Sequence, residues 1–415
     1  MIKNKPREIV VVYTKQFPFG FKEAYILDEI DALRESFDEI YFLPYAEFNF
    51  ESKEVRIALD NQFHVLDFGA TAPDRSTFQK LTAAFNILPI LLAECLFSRQ
   101  KLEALKRSKQ NFLRLYHYSW IAHQLKNWLN SKNENITHYH YWMHDGVMIE
   151  KLAGSKKPSR HVARAHSIDC YHKDWPLNGY APYEIQKINH LDAIYSVSQH
   201  GLQHLKKTFP SFTHKFHYQP LGIPIEARPA ISQNPSPIML TIAFMGKVKN
   251  MGRMVDLMQE LKEDFSWVHI GSGVEEIQQE VIAACKSRGI AFQSLGYLNK
   301  EEIFNFLKKN EVAFFANTSI WEGVPVSLME AGMFGIPFIV SDIPGNLEIV
   351  NKDNGFVIPL KGDLSAIAKQ MKDCFHDKAQ WERYAKAAQT KIVDDYNAEK
   401  NHRVFFEKIK KLSLK

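Results

Sequence analysis

The sequence has little cysteine, little net charge and no long apolar run, and each shortage excludes a class of protein. Its four cysteines stand far apart in 415 residues, at Cys95, Cys170, Cys285 and Cys374. They indicate neither a disulfide framework nor a zinc site, so we expect reduced thiols in a cytoplasmic protein. A net charge of +5 is too small to indicate binding to nucleic acid, although it is compatible with anionic substrates or an anionic membrane face.

Apolar runs stay below the length that crosses a bilayer. The most apolar stretch, residues 81–97, is interrupted by polar residues and by Pro89, and falls short of the ~20 apolar residues of a membrane span. We expect a buried helix there, with a surface that dips into the membrane as the alternative. Residues 1–7 are polar and lead directly into a predicted strand, so we expect no signal peptide.

Strands and helices alternate along almost the whole chain, which predicts α/β layers with mostly parallel sheets. The length suggests two domains of about 200 residues each. We predict two doubly wound domains, residues 1–224 and 225–395, facing each other across a cleft, with ligands beyond the carboxyl ends of the strands. Predicted strands lie at residues 8–13, 39–43, 55–58, 137–142, 160–165 and 193–197, and then at 237–245, 267–270, 292–295, 312–316 and 338–340.

The most informative stretch is residues 321–331, in which Glu322 and Glu330 are separated by seven residues. A predicted strand leads in, and we expect a helix to begin near Pro325, since proline suits the first helical turn. A strand, a tight turn and a helix together point free backbone N–H groups at an anion. Carboxylates beside that anion can accept hydrogen bonds from hydroxyls, which describes a site for a nucleotide-activated sugar.

This stretch and its continuation to residue 350 resemble the signature of retaining glycosyltransferases of family 4, which have the GT-B fold. The residues that carry the resemblance are Glu322, Gly323, Pro325, Ser327, Leu328, Glu330, Ala331, Gly335, Pro337, Ser341, Asp342, Gly345 and Glu348. The resemblance covers essentially the whole chain and is strongest from residue 296 to 359. It implies two Rossmann-like domains and a C-terminal helix, residues 396–415, that crosses back to the first domain.

The resemblance also implies how the second domain holds a nucleotide-sugar donor. Glu322 would lie by the donor sugar, and Glu330 would bind the ribose hydroxyls. Backbone N–H groups would hold the distal phosphate, whereas Pro325 has none to offer. The residues of this predicted turn are Gly323, Val324, Pro325, Val326, Ser327 and Leu328.

A basic loop at residues 246–253 supplies cations for the diphosphate. In the family this loop usually gives an arginine and, a few residues on, a lysine. Lys247 occupies the arginine position here, and the second cation is either Lys249 or Arg253. Lysine lacks the bidentate fork of arginine, so a solvated basic turn is the alternative interpretation.

Two glycines and a tyrosine complete the implied donor site. Gly271 and Gly273 follow a predicted strand, where a βα turn needs glycine for backbone reasons alone, and in the family this turn borders the nucleotide. Tyr297 matches the next family loop, so we expect the base near it.

In the first domain, His166 follows the predicted strand 160–165, where family members carry a histidine that faces the donor sugar. We expect a catalytic role for His166, with a structural role as the alternative. Asp169 would orient it or touch the acceptor. Gly20 fits the first loop of the fold, which covers the donor phosphates, and Glu23 is an acceptor-side or structural residue.

A histidine-rich run, residues 138–145, raises the question of a metal site. Alternation puts His138 and His140 on one strand face, and His144 with Asp145 would begin the next helix. A metal site needs converging ligands with supporting contacts, and the family uses cationic side chains and a helix N-terminus instead. We therefore expect no metal and no other cofactor, and Asp145 as a helix N-cap.

Residues 100–126 mix lysine and arginine with leucine and aromatic residues. We expect an amphipathic helix that packs on its own domain. The alternative is a surface that binds anionic lipid, where a lipid-linked acceptor would be found.

The sequence thus predicts a retaining, hexosyltransferase-type enzyme that moves a sugar from a UDP- or GDP-linked donor to a hydroxyl of a glycan acceptor. We expect that acceptor to be lipid-linked, in bacterial capsule, O-antigen or exopolysaccharide synthesis, and the protein to be cytoplasmic with a peripheral contact to an anionic membrane. Lys247, a second cation and the helix at Pro325 would stabilise the leaving group in a front-face mechanism. The alternatives are a nucleotide-sugar 2-epimerase of the same fold and a non-catalytic GT-B subunit that supports a partner transferase.

Overall fold

Consecutive buried valine, isoleucine and phenylalanine residues form the parallel strands of two separate sheets, because strands covered on both faces need no polar alternation. A computed structural model describes residues 6–19, 23–46, 55, 57–68, 76–171, 179–225 and 228–414. The chain divides into unit 1, Met1–Gln219 with His402–Lys415, and unit 2, Pro220–Asn401.

Unit 1 contains a seven-stranded parallel sheet in the order β3-β2-β1-β4-β5-β6-β7. Its strands are β1 (Glu8–Thr14), β2 (Glu39–Pro44), β3 (Phe63–Val65), β4 (Asn135–His140), β5 (Ser159–Ala165), β6 (Ala193–Ser196) and β7 (Phe216–Tyr218). Its helices are α1 (Ile30–Ser36), α2 (Thr77–Phe97), α3 (Lys101–Lys106), α4 (Ser108–Asn130), α5 (Gly146–Ala153), α6 (Ser167–Cys170), α7 (Glu184–His190) and α8 (Gln199–Thr208).

Unit 2 contains a six-stranded parallel sheet in the order β10-β9-β8-β11-β12-β13. Its strands are β8 (Ser236–Ile242), β9 (Ser266–Ile270), β10 (Phe292–Ser294), β11 (Val312–Asn317), β12 (Phe338–Ser341) and β13 (Gly355–Ile358). The helices after β8 are α9 (Met251–Leu261), α10 (Glu275–Arg288), α11 (Lys300–Lys309), α12 (Val326–Met333), α13 (Pro344–Leu347), α14 (Ser365–His376), α15 (Lys378–Asp395) and α16 (Ala398–Lys410).

The strand order reverses once in each sheet, at β1/β4 in unit 1 and at β8/β11 in unit 2. Both sheets thus have the doubly wound topology that the sequence predicted. The crevice outside the carboxyl ends of the strands at such a switch point is where ligands bind in this class of sheet. These two points therefore locate the places to examine for a site.

The end of α16 completes the core of unit 1. Phe405, Phe406 and Ile409 are fully buried there among the side chains of β1, β2 and β4. Arg164 of β5 lies over the Phe405 ring at 3.8 Å, and its Nη2 forms a fully buried ion pair of 2.8 Å with Oε1 of Glu29. The predicted return of the C-terminal helix to the first domain is confirmed.

Two sequence predictions for unit 1 were wrong. Of the strand expected at residues 55–58, the described residues show only an isolated antiparallel bridge between Val55 and Phe19. The edge strand β3 instead begins at Phe63, whose buried ring stacks on Phe42. The buried helix expected at residues 81–97 is α2, but most of its side chains are exposed. Ala83 and Ile87 are buried, but large apolar side chains such as Phe85 and Leu92 are exposed, so apolar composition alone misjudged the burial of α2.

Candidate functional site

The switch point of unit 2 brings the two predicted donor-binding loops together. The N–H of Ile320, after β11, donates to the carbonyl oxygen of Val248, after β8, at 2.8 Å. The Thr318 hydroxyl donates to the carbonyl oxygen of Lys249 at 3.1 Å. These bonds fix the basic loop against the loop that carries Glu322.

Glu322 is held by three donors on one oxygen. Its Oε1 accepts from Lys249 Nζ at 2.5 Å, from Ser319 Oγ at 2.7 Å and from Asn317 Nδ2 at 3.4 Å. The side chain is only 14% exposed. Among the residues that the structure describes, none bonds to Oε2, so this oxygen is available to a ligand hydroxyl while Oε1 fixes the orientation.

The three cations of the basic loop lie in different surroundings. Lys249 contacts Glu322, and Lys247 is exposed in a short 3-10 helix, Lys247–Lys249. Arg253 is buried in α9, where its Nε donates to the carbonyl oxygen of Pro359 at 2.9 Å. The geometry therefore brings Lys249, and not Arg253, to Glu322.

The helix expected near Pro325 begins at Val326, with Pro325 at the N-cap in an extended conformation, φ −70° and ψ 120°. The N–H of Leu328 donates to the Pro325 carbonyl oxygen at 3.2 Å, and the Leu328 side chain is buried. The N–H groups of Val326 and Ser327 are the first of the helix, which lack intrahelical acceptors. These two N–H groups are directed at the space before α12.

The turn at Gly323 and Val324 packs closely against Gly345. A Cβ on Gly345 would lie 2.4 Å from the carbonyl oxygens of both Glu322 and Gly323. Any side chain at Gly345 would push the turn away from α13. Glu330 lies one and a half turns into α12 and is partly buried.

The remaining predicted donor residues line the same edge of the sheet. Gly271 has φ +140°, and a Cβ there would lie 1.9 Å from the Ala243 carbonyl oxygen, so only glycine fits. Gly273 packs equally closely against Met245, which it also meets in an isolated parallel bridge. Tyr297, in the loop after β10, is 76% exposed.

In unit 1, His166 lies at the carboxyl end of β5 and is held on several sides. Its Nε2 lies 2.9 Å from the Tyr141 carbonyl oxygen, which can only accept, so Nε2 carries the proton. The ring packs against Trp142 with a centroid distance of 4.0 Å. Burial, reinforced by the nearby charge of Arg164, lowers the pKa of His166 to about 3, which leaves a neutral ring with Nδ1 as an acceptor.

The two predicted acceptor-side carboxylates make structural contacts. Asp169 Oδ2 accepts the backbone N–H of His166 at 3.0 Å, which fixes the start of α6. Glu23 accepts three backbone N–H bonds, from Lys15, Gln16 and Phe17, at 2.7 to 3.0 Å. Glu23 therefore holds the loop that follows β1. Gly20, predicted in that loop, lies outside the described residues.

A pocket of about 320 Å³, which the sequence did not indicate, lies at the carboxyl edge of the unit 1 sheet. Three cations line it: Lys15, Arg114 and Lys187. Asp145, between them, lies 3.8 Å from both Arg114 and Lys187. Asp145 is at the N-cap position of α5, as predicted, but its side chain makes no capping bond and accepts from Tyr118 instead.

The histidines considered for a metal site separate in the structure. His144 lies 3.4 Å from Asp169, whereas His138 and His140, on one face of β4, lie beside Glu150 and His161. Sequence reasoning missed Glu150, His161 and His190. The sequence signal for this cluster was weak, because these residues stand in two helices and a strand that only the folded structure brings together.

A protein-family model matches the segment of the chain that contains the unit 2 site. Residues 225–391 match the family model described as Glycosyl transferases group 1. The matched segment lies within unit 2 and includes Lys249, Glu322 and α12.

Two curated relatives match parts of the chain. The amylovoran biosynthesis glycosyltransferase AmsK of Erwinia amylovora is 25% identical over 183 residues, 42% of this chain and 45% of the relative. The UDP-Gal:alpha-D-GlcNAc-diphosphoundecaprenol alpha-1,3-galactosyltransferase of Escherichia coli is 36% identical over 121 residues, 29% of each. The chain spans less than half the length of these relatives.

Solved structures match the fold over nearly the whole length. Anabaena Alr3699/HepE, solved in complex with UDP, is similar with a TM-score of 0.67 and 12% identity, covering 98% of this chain and 100% of that one. Sucrose-phosphate synthase of Thermosynechococcus elongatus gives a TM-score of 0.68 at 12% identity, covering 97% and 98%. The protein has the GT-B fold expected from its sequence.

Proposed function

We propose that the protein is a glycosyltransferase that takes a sugar from a nucleoside-diphosphate donor bound by unit 2. The observation that carries the proposal is the Lys249–Glu322 pair at the β8/β11 switch point, inside the segment that matches group 1 glycosyl transferases. A cation, an open carboxylate oxygen and the start of α12 are what a diphosphate joined to a sugar requires.

The donor site assigns a task to each residue. Glu322 Oε2 would accept from a sugar hydroxyl, Lys249 and Lys247 would neutralise the departing diphosphate, and the N–H groups of Val326 and Ser327 would bind its distal phosphate. Glu330 would accept from the ribose. The transfer is retaining, follows a front-face course and uses these cations in place of a metal cofactor.

Unit 1 would bind the acceptor in the pocket lined by Lys15, Arg114 and Lys187. The pocket has three cations and two carboxylates, Asp145 and Asp169, and its excess of positive charge favours an acceptor that carries phosphate. The Escherichia coli relative is named for an acceptor that is a sugar linked through diphosphate to undecaprenol. We extend that acceptor class, a lipid-linked glycan of a bacterial polysaccharide pathway, to this chain.

The outer face of α2 fits a lipid surface beside such an acceptor. Residues Lys80–Phe97 form the one stretch, among the described residues, whose length and hydropathy would suffice to cross a membrane. Large apolar side chains point outward along α2 and its neighbours, with Phe85 78% exposed: Leu81, Phe85, Leu88, Leu92, Leu96, Phe97, Leu102, Leu105 and Leu113. With the nearby basic residues of α3, this face suits peripheral binding to an anionic cytoplasmic leaflet.

Vesicle binding tests the membrane proposal. The double variant Phe85→Ser, Leu92→Ser should bind vesicles containing anionic lipid at least about tenfold more weakly, because two exposed apolar side chains are lost. Val404→Ser, an exposed apolar side chain on α16, is the matched control and should bind normally. Equal sedimentation of all three proteins with vesicles would contradict the proposal.

A panel of UDP- and GDP-sugars tests the donor site. We expect one donor to raise the thermal midpoint of the wild-type protein and to be consumed only when a glycan acceptor is present. Lys249→Ala should bind it at least about tenfold more weakly through loss of a diphosphate contact. Lys369→Ala, which removes the cation of an exposed ion pair with Asp373, is the control.

Three outcomes would count against the transferase. A donor that is interconverted without an acceptor would identify an epimerase. Donor binding without turnover on any acceptor would identify a non-catalytic subunit, which the lysine at position 247 would then explain. If Lys249→Ala bound the donor with wild-type affinity, Lys249 would not be part of the donor site.

A further inference from the structure

Four histidines on one side of the unit 1 sheet form a largely buried cluster around Glu150. Glu150 Oε2 lies 2.9 Å from His140 Nε2, and Oε1 lies 2.9 Å from His190 Nε2 and contacts His161 Nδ1. The His138 ring stacks in parallel on His161, with centroids 5.2 Å apart and an interplanar angle of 1°. The cluster joins β4, β5, α5 and the end of α7.

Three of these residues converge as metal ligands do. One ligand atom each from His138, Glu150 and His161 lies within 4.8 Å of the others.

Contacts outside the cluster orient the ligand nitrogens inward. The Tyr13 hydroxyl lies 2.8 Å from His138 Nδ1, which leaves His138 Nε2 for a metal. The Ser159 hydroxyl lies 3.1 Å from His161 Nε2, which leaves Nδ1 on the Glu150 side. A hydrogen bond to the second ring nitrogen is the usual way in which proteins fix a histidine that binds a metal.

We propose that His138, His161 and Glu150 bind a divalent transition metal ion, with His190 as the fourth ligand. Three imidazoles with one carboxylate suit Zn²⁺ in tetrahedral geometry. Ca²⁺ and Mg²⁺ prefer sites made of oxygen ligands, so this set of ligands does not suit them. The side chains of His161 and His190 are 18% and 21% exposed, which gives the ion an entry path.

The ion would have a structural role, because none of its proposed ligands lines the acceptor pocket or belongs to the proposed donor site. His161, on β5, stands five residues before His166, about 16 Å of extended strand. The ion would tie two strands to two helices within unit 1. This inference stands independently of the proposed transfer reaction.

Cobalt binding and metal analysis test the proposal on full-length protein made without a polyhistidine tag. We expect one equivalent of zinc in the purified protein, and, after its removal, stoichiometric Co²⁺ uptake with the visible d–d bands of a tetrahedral site. Zn²⁺ should raise the thermal midpoint of the stripped protein by roughly 5 °C. Protein that is folded but takes up neither ion would overturn the proposal.

Two partly exposed ligands permit variants that keep the fold. His161→Gln and His190→Gln should each weaken Co²⁺ binding by about 100-fold and abolish the thermal shift with Zn²⁺. His123→Ala, an exposed histidine of α4, should bind Co²⁺ as the wild type does. Unchanged affinity in His161→Gln, with a wild-type circular dichroism spectrum, would also overturn the assignment.

Discussion

Glu322 in unit 2 and Glu150 in unit 1 are both carboxylates that collect several nitrogen donors, yet their surroundings differ. Glu322 lies beyond the end of a strand, with one oxygen held by three donors and the other without a bond among the described residues. Glu150 lies on the face of a sheet with both oxygens occupied by histidines. The comparison teaches that the carboxylate beyond the strand end keeps one oxygen open, whereas the carboxylate on the face of the sheet has both oxygens occupied.

Removing the charge at Glu322 should give the largest effect. Glu322→Gln should lower kcat by about 1,000-fold, because the sugar loses an anionic acceptor and Lys249 loses its partner. Urea-induced unfolding should change by less than about 1 kcal/mol, since the pair is partly exposed. Steady-state kinetics and urea titration measure both, and a variant that is destabilised but turns over normally would break the contrast.

The same substitution at Glu150 should act on stability. Glu150→Gln should lower the free energy of unfolding by about 3 kcal/mol, because a glutamine amide presents donors to buried imidazoles that need an acceptor. Glu35→Gln is the matched control: Glu35 forms an exposed ion pair with Arg403 at 3.0 Å, so less than about 0.5 kcal/mol should be lost. Similar urea midpoints for both variants would show that the cluster contributes little.

A smaller effect should distinguish His166 from both carboxylate sites, because its neutrality comes from burial and from the charge of Arg164. Its pKa is lowered to about 3 in the folded protein, so below pH 6.5 the unfolded chain binds a proton that the folded chain does not. Stability contributed by His166 is therefore present above pH 6.5 and lost as the pH falls towards 3. Between pH 7 and pH 5 the wild type should lose about 1–2 kcal/mol more than His166→Gln in urea titrations; parallel losses would mean that His166 titrates normally.

The sequence predicted the strand, turn and helix around Glu322 well, because their determinants are local. Glu322, Pro325 and the helix after it lie within a few residues, and a strand–turn–helix pattern defines them without reference to the rest of the fold. The positions of Lys249 and Arg253 needed the structure, since they stand close together in the chain and only packing shows that Arg253 turns inward to Pro359.

Unit 1 was harder to predict because its clusters depend on strand register. Pairing of His138 with His161 across β4 and β5 creates the cluster at Glu150, and residue spacing contains no trace of that pairing. The exposure of α2 was also hidden, since an apolar helix gives the same sequence signal whether protein or lipid covers it. The roles of His166 and Tyr297 in the reaction stay predictions.

The last turns of α16 have a consequence for the order in which the chain folds during synthesis. Three residues of α16 complete the core of unit 1: Phe405, Phe406 and Ile409. The strands of that unit leave the ribosome much earlier in synthesis. Unit 2 is continuous from Pro220 to Asn401, so it can close first although it is translated second. The nascent first unit must wait with an unfilled core, which makes it the part of the chain most dependent on chaperones.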